Sequence, residues 1–287
     1  MKLLDSVNLT FITPCFCSGA DPKKPEIRPA SIRGEFRRWL RIFGADLKTE
    51  SRIMGSAAGD TGTKSALVFR VRNVVVPARP FTAWKNWEIA NIDRPGKAYL
   101  TFFLTRQNPV KKCLAPGTRF TLEVLQRKEL SPEDKDLFWD AWSAMVDYGS
   151  LGARVSRGFG AWVSDENAEA EELPEPLDDF EALEEPLDLR IPFSKATLAA
   201  DQERIFNSIG NSVKSMRKEK RWSGNKRTPF GTIQGGRQKS VYIFRPVACK
   251  SGFFLFFFHF PDFYAEKRDF APKANGKDFR EKNFRKR

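Results

Sequence analysis

Ser131–Val163 reads SPEDKDLFWDAWSAMVDYGSLGARVSRGFGAWV, and the signals inside it come in a definite order. Ser131 offers its hydroxyl as an N-cap, Pro132 suits the first helical position, and Glu133 and Asp134 place acids in the first turn. Phe138, Ala141, Trp142 and Met145 then recur at helical spacing, and Gly149 stops the helix. A glycine-rich run from Gly149 to Gly160 follows and leads into a short strand, Phe159–Val163. Helix first and strand second is the reverse of a dinucleotide-binding loop, which follows a strand and opens a helix. There is no Gly-Lys-Ser/Thr triplet either, so the loop of the nucleotide triphosphatases is excluded.

Working outward, the N-terminal side begins with a strand at Val7–Thr13 and a loop carrying Pro14, Gly19, Pro22, Pro25 and Pro29. A helix is expected over Ser31–Phe43, with Ser31 as N-cap and Gly44 as the stop. Ile32, Phe36, Trp39, Leu40 and Phe43 make its buried stripe. Arg33, Arg37 and Arg41 lie four apart beside that stripe, and Arg38 extends the basic surface. Strands are expected at Ser65–Val76, Ala98–Thr105 and Thr118–Gln126, the last alternating cleanly between apolar and polar positions. Strand, helix, strands, helix, strand is the ferredoxin-like split pattern, which predicts one domain over residues 1–163.

Residues 164–189 hold twelve acids and no Lys or Arg, punctuated by Pro174, Pro176 and Pro186, and read as a solvated linker or surface extension, a spacer first and a segment that repels nucleic acid or docks on a basic neighbouring subunit second. Beyond it, residues 190–287 suggest a smaller domain of similar kind. Its helix is expected over Asp201–Arg221, with Ile205, Ile209, Val213 and Met216 inward and Lys214, Arg217, Lys218 and Arg221 outward. A glycine- and cation-rich segment follows (Ser223–Lys239), then two strands, Ser240–Val247 and Phe253–Phe260, joined by Lys250-Ser251-Gly252. The last 22 residues, 266–287, carry nine Lys or Arg against four acids. The expected fold class is α+β: two ferredoxin-like domains, each an antiparallel sheet with helices on one face.

The 287-residue chain has a net charge of +13, and setting the acidic segment aside raises the remainder to +25. A surplus that large repels itself unless a polyanion neutralises it, so nucleic acid is the expected partner. FFLFFFHF (Phe253–Phe260) is too short for a transmembrane helix. Asp5 and Asn8 interrupt what would be the core of a signal peptide. A cytoplasmic protein without membrane contact is expected.

Glycines 149, 152, 158 and 160 leave backbone amides open to phosphate oxygens, and Arg154 and Arg157 add planar cationic forks. A tight turn is the simpler alternative. The arginines of the first helix are entered from a basic loop (Lys23, Lys24, Arg28) and balanced only by Glu35, which favours anion binding over a solvated face. From Asp201 to Lys239 ten cations face three acids, with Trp222 and Phe230 interleaved as stacking groups or core anchors. Four scattered cysteines (Cys15, Cys17, Cys113, Cys249) lack zinc spacing and read as reduced core residues. Asp21 and Asp60 read as turn formers rather than metal ligands. His259, the single histidine, sits between phenylalanines and suits a sheet better than a general base. No catalytic residue, metal or cofactor is expected.

Several stretches together resemble the RAMP superfamily, and within it the branch supplying the first subunit of Cmr-type (type III-B) CRISPR effectors. They are ITPCFCSGADP (Ile12–Pro22), RPASIRGEFRRWLR (Arg28–Arg41), the Gly55-Ser56 loop with SALVFR (Ser65–Arg70), the Ser150–Gly160 loop, and PFGTIQGGRQKSV (Pro229–Val241). The resemblance implies two RNA-recognition-like domains and a non-catalytic, RNA-binding role in an antiviral ribonucleoprotein. The implied partners are the 3′ part of a guide RNA, a target RNA and other RAMP subunits. Carried onto this chain, Ser31, Arg33, Arg37, Arg38 and Arg41 match the helix motif and Gly152, Arg154, Arg157, Gly158 and Phe159 match the loop; Arg28, Lys64, Arg237 and Lys239 complete the expected RNA-binding set. The chain departs from the pattern in having Gly149-Ser-Leu-Gly152 where a doubled glycine is common, and in its compact second domain. The alternative is a metal-independent RAMP endoribonuclease that processes guide RNA with His259 as general base. A scaffold whose basic faces meet acidic partner proteins is a third reading.

Overall fold

The computed structural model describes residues 1–21, 23–57, 62–78, 96, 100, 112–174, 186–219 and 242–259. Strand β1 (Lys2–Phe11) is followed by helices α1 (Pro29–Ile42) and α2 (Leu47–Met54), then strands β2 (Leu67–Val75) and β3 (Arg119–Gln126). Helix α3 (Pro132–Tyr148) and strand β4 (Trp162–Ser164) complete a four-stranded antiparallel sheet of order β2-β3-β1-β4. One helical connection leaves β1 and one leaves β3, and each returns to a strand that is not its immediate neighbour.

Alternation in the strands decides which face the helices cover. Val7, Leu9 and Phe11 of β1 lie opposite Leu122 and Phe120 of β3 and Trp162 of β4, and the buried members form one apolar layer. Phe36 of α1 meets Phe69 at 5.1 Å and Phe138 of α3 at 5.7 Å between ring centroids. Trp142 donates its indole N–H to Asp5 Oδ2 at 2.6 Å, pinning α3 to β1. The start of α3 is as the sequence reads: Ser131 accepts from the Asp134 amide at 3.2 Å, with Pro132 behind it.

Helix α4 (Asp165–Glu169) and strand β5 (Leu187–Asp188) lead into α5 (Leu198–Glu219) and the hairpin β6 (Tyr242–Cys249) and β7 (Gly252–His259). These strands form a second antiparallel sheet of order β5-β7-β6. Its residues Ile243, Val247 and Phe256 join the core of the first sheet. Conversely, Ile12, Phe16, Phe159 and Val163 join the core beneath α5. Thus the apolar interior does not divide at residue 163.

Four expectations differ from the structure. Helix α1 begins at Pro29 with Arg28 as its N-cap, because proline fixes the helical φ and has no N–H to satisfy. Ser31 therefore lies inside the first turn, its own amide bonded to Arg28 O at 2.9 Å. Within the strand expected at Ala98–Thr105, Leu100 is helical and the rest lies outside the described residues. Nearby Gly96 donates its amide to Asn211 Oδ1 at 3.2 Å. A Cβ there would collide with the α5 backbone. The strand expected at Phe159–Val163 is displaced to Trp162–Ser164. The acidic segment is more than a spacer. Ser164 caps α4 by accepting from the Asn167 amide at 3.1 Å, Asp165 pairs with Lys195 at 3.2 Å, and Glu171 pairs with Lys250. Leu187–Asp188 adds a strand to β7. Among the described residues, no helix is long and apolar enough to cross a membrane.

Candidate nucleic-acid interface

At about 100° per residue, Arg33, Arg37 and Arg41 fall on one flank of α1, and that flank meets α2. Asp46 starts α2 by accepting from the Thr49 amide at 2.7 Å, and Gly55 ends it at φ 74°. The guanidiniums of Arg33 and Arg37 donate to Met54 O at 2.8 and 3.0 Å, and Arg37 donates also to Gly55 O at 2.6 Å. They occupy the negative end of the α2 dipole and satisfy its last carbonyls. Arg37 and Arg41 both hydrogen-bond the carboxylate of Glu50, which is 3% exposed. Burial pushes the Glu50 carboxyl up, but the hydrogen bonds and charges of Arg41 and Arg37 outweigh it and hold the group below the usual range.

That carboxylate does not neutralise the flank. Burial lowers the Arg33 guanidinium, and the positive charges of Arg37 and Arg127 lower it further. Arg33, Arg37, Arg41 and the exposed Arg127, just beyond β3, therefore make a cationic surface in which, among the described residues, Glu50 is the carboxylate paired with Arg37 and Arg41. Lys64 is exposed directly after the Ser56–Thr63 bridge. Arg28 is exposed at the start of α1, 3.5 Å from Glu26. Arg127 is not legible as a candidate: with Lys128 and Glu129 after it, it reads as an ordinary charged strand end, and its place beside Arg33 appears only in the fold.

The other flank of α1 is turned inward. Arg38 pairs with Glu35 at 3.6 Å, and Glu35 accepts the Trp39 indole N–H at 3.1 Å. Beneath them is Arg245 of β6, 2% exposed, donating to Gly149 O at 3.3 Å. Burial drops the Arg245 guanidinium to about 9, against the support of Glu35 and with the charge of Arg38 adding to the drop. Ser31, half-buried, meets Cys17 Sγ at 3.6 Å.

The glycine-rich loop uses its amides inside the protein, contrary to the expectation that they stay open to phosphate. Leu151 donates to Gly160 O at 2.9 Å, Ala153 to Phe16 O at 3.0 Å, and Gly160 to Pro14 O at 2.9 Å. Thr13 bridges the loop's end, donating to Gly158 O at 2.7 Å and accepting from the Ala161 amide at 2.9 Å. Gly152 has φ 93°, and a Cβ there would stand 2.6 Å from Phe16 O. This is the close approach that demands glycine. Gly158 is buried against Pro246. Phe159 is a core residue rather than a surface stacking group, its ring 4.4 Å from that of Phe206. Arg157 is nearly buried, with its guanidinium 5.9 Å from the Phe244 ring centroid. What the loop presents outward is Gly152 and the half-buried Arg154, whose φ of 63° is unusual for a side-chain-bearing residue.

The structure thus joins Arg33, Arg37 and Arg41 at α2, sets Ser31 and Arg38 on the opposite flank, and folds Arg157, Gly158 and Phe159 into the interior. Arg237, Lys239, Trp222 and Phe230 lie outside the described residues, as do Asp60 and the 266–287 tail. His259 ends β7 opposite Tyr242. Asp21 makes a turn, accepting from the Lys23 amide at 2.9 Å. Cys15, Cys17 and Cys249 are buried free thiols. Burial pushes the Cys15 thiol up, with Cys17 and Cys113 adding to the effect.

Comparison with known proteins bears on this geometry. The RAMP superfamily model matches residues 8–164, a span running from β1 through the glycine-rich loop to β4. "CRISPR system Cmr subunit Cmr1-2" of Pyrococcus furiosus is 27% identical over 170 residues, 54% of this chain and 91% of that relative. Cmr1-1 of the same organism is 27% identical over 147 residues, 48% of this chain but only 40% of that longer relative. The crystal structure of apo Cmr1 from Pyrococcus furiosus superposes with a TM-score of 0.50 at 17% identity, covering 88% of this chain and 86% of that one. That likeness extends the shared fold beyond the matched family segment into the second sheet. With more than half of its length matched by the family model, the chain belongs to the RAMP superfamily.

Proposed function

We propose that the chain is a non-catalytic, RNA-binding, Cmr1-like subunit of a type III-B CRISPR ribonucleoprotein in the cytoplasm. It contacts the 3′ region of the guide RNA and helps capture target RNA beside other RAMP subunits. In this reading residues 1–163 and 190–287 are two ferredoxin-like halves, and 164–189 is the acidic connection between them. The observation that carries it is the α1 flank, where Arg37 and Arg41 share the carboxylate of Glu50 while Arg33 stands within the field of Arg37 and Arg127 with no carboxylate of its own among the described residues. An uncompensated guanidinium cluster at the surface attracts phosphate, and guanidinium forks bind it bidentately. The relatives named as Cmr subunits support the choice of RNA as the polyanion.

The test is fluorescence anisotropy of the purified chain with a labelled single-stranded guide RNA. Contacts to about six phosphates of a single strand lower affinity by roughly three-hundredfold between about 50 and 200 mM salt. Arg28→Glu, Lys64→Glu and Arg127→Glu alter exposed cations and should each weaken binding while the protein stays folded. Affinity that is independent of salt, or unmoved by all three variants, would reject the assignment. Incubation with repeat RNA should leave it uncut; cleavage that disappears in His259→Ala would replace this reading with the endoribonuclease one.

A further inference from the structure

Strand β6 holds the glycine-rich loop at three successive residues. Arg245 donates to Gly149 O, where the loop begins. Phe244 donates its amide to Ser156 O at 3.2 Å and bridges Arg157 in parallel. Pro246 packs on Gly158, where a Cβ would come within 3.1 Å of the ring. Between these fixed points runs the only outward part of the loop, Gly152 to Ser156, with Arg154 in the left-handed region. A left-handed arginine persists only where its surroundings over-determine it.

Arg245 is a costly way to build a core. It is fully interior, and its Nε has no hydrogen-bond partner. A well-packed apolar side chain of similar volume is often as stable or more so at such a site. What an apolar residue cannot do is hold the Gly149 carbonyl while facing Glu35 and Arg38 of α1.

We propose that Arg245 is a positioning residue. By anchoring the first carbonyl of the glycine-rich loop, it lets the second sheet fix Arg154 in the orientation that receives an RNA phosphate. This rests on the RNA-binding reading above and adds that the second half of the chain presets a contact made by the first.

The experiment is a double-mutant cycle with the labelled guide RNA on full-length Arg245→Met, Arg154→Ala and the double variant, with Arg245→Lys as the conservative control. Arg245→Met should lose about tenfold in affinity although it removes no surface charge, and Arg154→Ala should lose a similar amount. The double variant should bind no more weakly than either single, because both losses pass through the same contact. Arg245→Lys should recover part of the affinity. Hydrogen exchange in Arg245→Met should accelerate at the amides of residues 151–160 and not in β3. Wild-type affinity in Arg245→Met while Arg154→Ala is weakened, or losses that multiply in the double variant, would overturn the proposal. Should Arg154→Ala bind as tightly as wild type, the RNA reading of the loop fails. The anchor is then judged by exchange alone, and unchanged exchange in Arg245→Met overturns it. If Arg245→Met does not fold, Arg245→Lys and its double with Arg154→Ala carry the same cycle.

Discussion

The first helix and the glycine-rich loop both bring arginines to the chain within short, glycine-bearing stretches, yet the fold treats them differently. On α1, Arg33, Arg37 and Arg41 dock a neighbouring helix and still leave a positive surplus at the surface. In the loop, Arg157 is drawn over Phe244 and the amides at 151, 153, 158 and 160 are spent on the protein itself. Of the loop's two arginines, Arg154 is the one that stays half-exposed, with its Nε in the interior. A basic motif is therefore two things at once: structural bonds, and the charge left over after those bonds are made. It is the leftover charge that a nucleic acid meets.

The largest expected effect sharpens the interior side of this contrast. Phe159→Ala removes a ring stacked on Phe206 in the core and should destabilise by about 3–5 kcal/mol in urea denaturation. Under conditions where the variant remains folded, its RNA affinity should fall by no more than that of Arg245→Met, because only the positioning of the loop is disturbed. A larger specific loss of RNA binding would return Phe159 to the interface.

Next is Glu50→Gln, expected to cost about 2–3 kcal/mol, below a fully buried pair because both guanidiniums still reach solvent. The Glu50 carboxyl is held below its ordinary range. Its pairing therefore contributes fully above that range and is lost as pH falls through the lowered folded value. Glu50→Gln should flatten this part of the acid-side decline in stability. An unaltered decline would mean that the α1–α2 joint owes little to the charge of Glu50.

The smallest stability effect belongs to Arg154→Gly. Relief of the left-handed strain and the added freedom of the unfolded chain nearly cancel, so the change is set by the side chain's own contacts in the loop, about 1 kcal/mol. Affinity for RNA should nonetheless fall about tenfold. If stability drops by several kcal/mol instead, Arg154 belongs with Arg157 among the structural arginines.

Local chemistry made much of this legible. The Ser131-Pro132 start and the buried stripe of α3, the alternation of β3 and the β6–β7 hairpin all follow from capping, periodicity and turn residues. Helix α1 starts at Pro29, two residues before Ser31, because a proline two positions ahead outweighs a serine hydroxyl. The arginine stripe was visible as spacing, but its partner Glu50 was not, since the contact needs the α1–α2 turn to close. Arg245 and Arg127 were hidden for the same reason: each gains its meaning from a neighbour brought there by sheet register. The amides of the glycine-rich loop were misjudged because glycine permits close approach without saying whether a ligand or the chain itself approaches.

The most direct test of the leftover charge is the salt dependence of RNA binding by wild type and by Arg33→Gln/Arg127→Gln. Each phosphate contact to a single strand adds about 0.7 to the slope of log affinity against log salt. The slope should therefore shrink by about 1.4 in the double variant, with the fold intact by circular dichroism. A folded double variant with the wild-type slope would place the bound RNA elsewhere and contradict the assignment of the α1 flank.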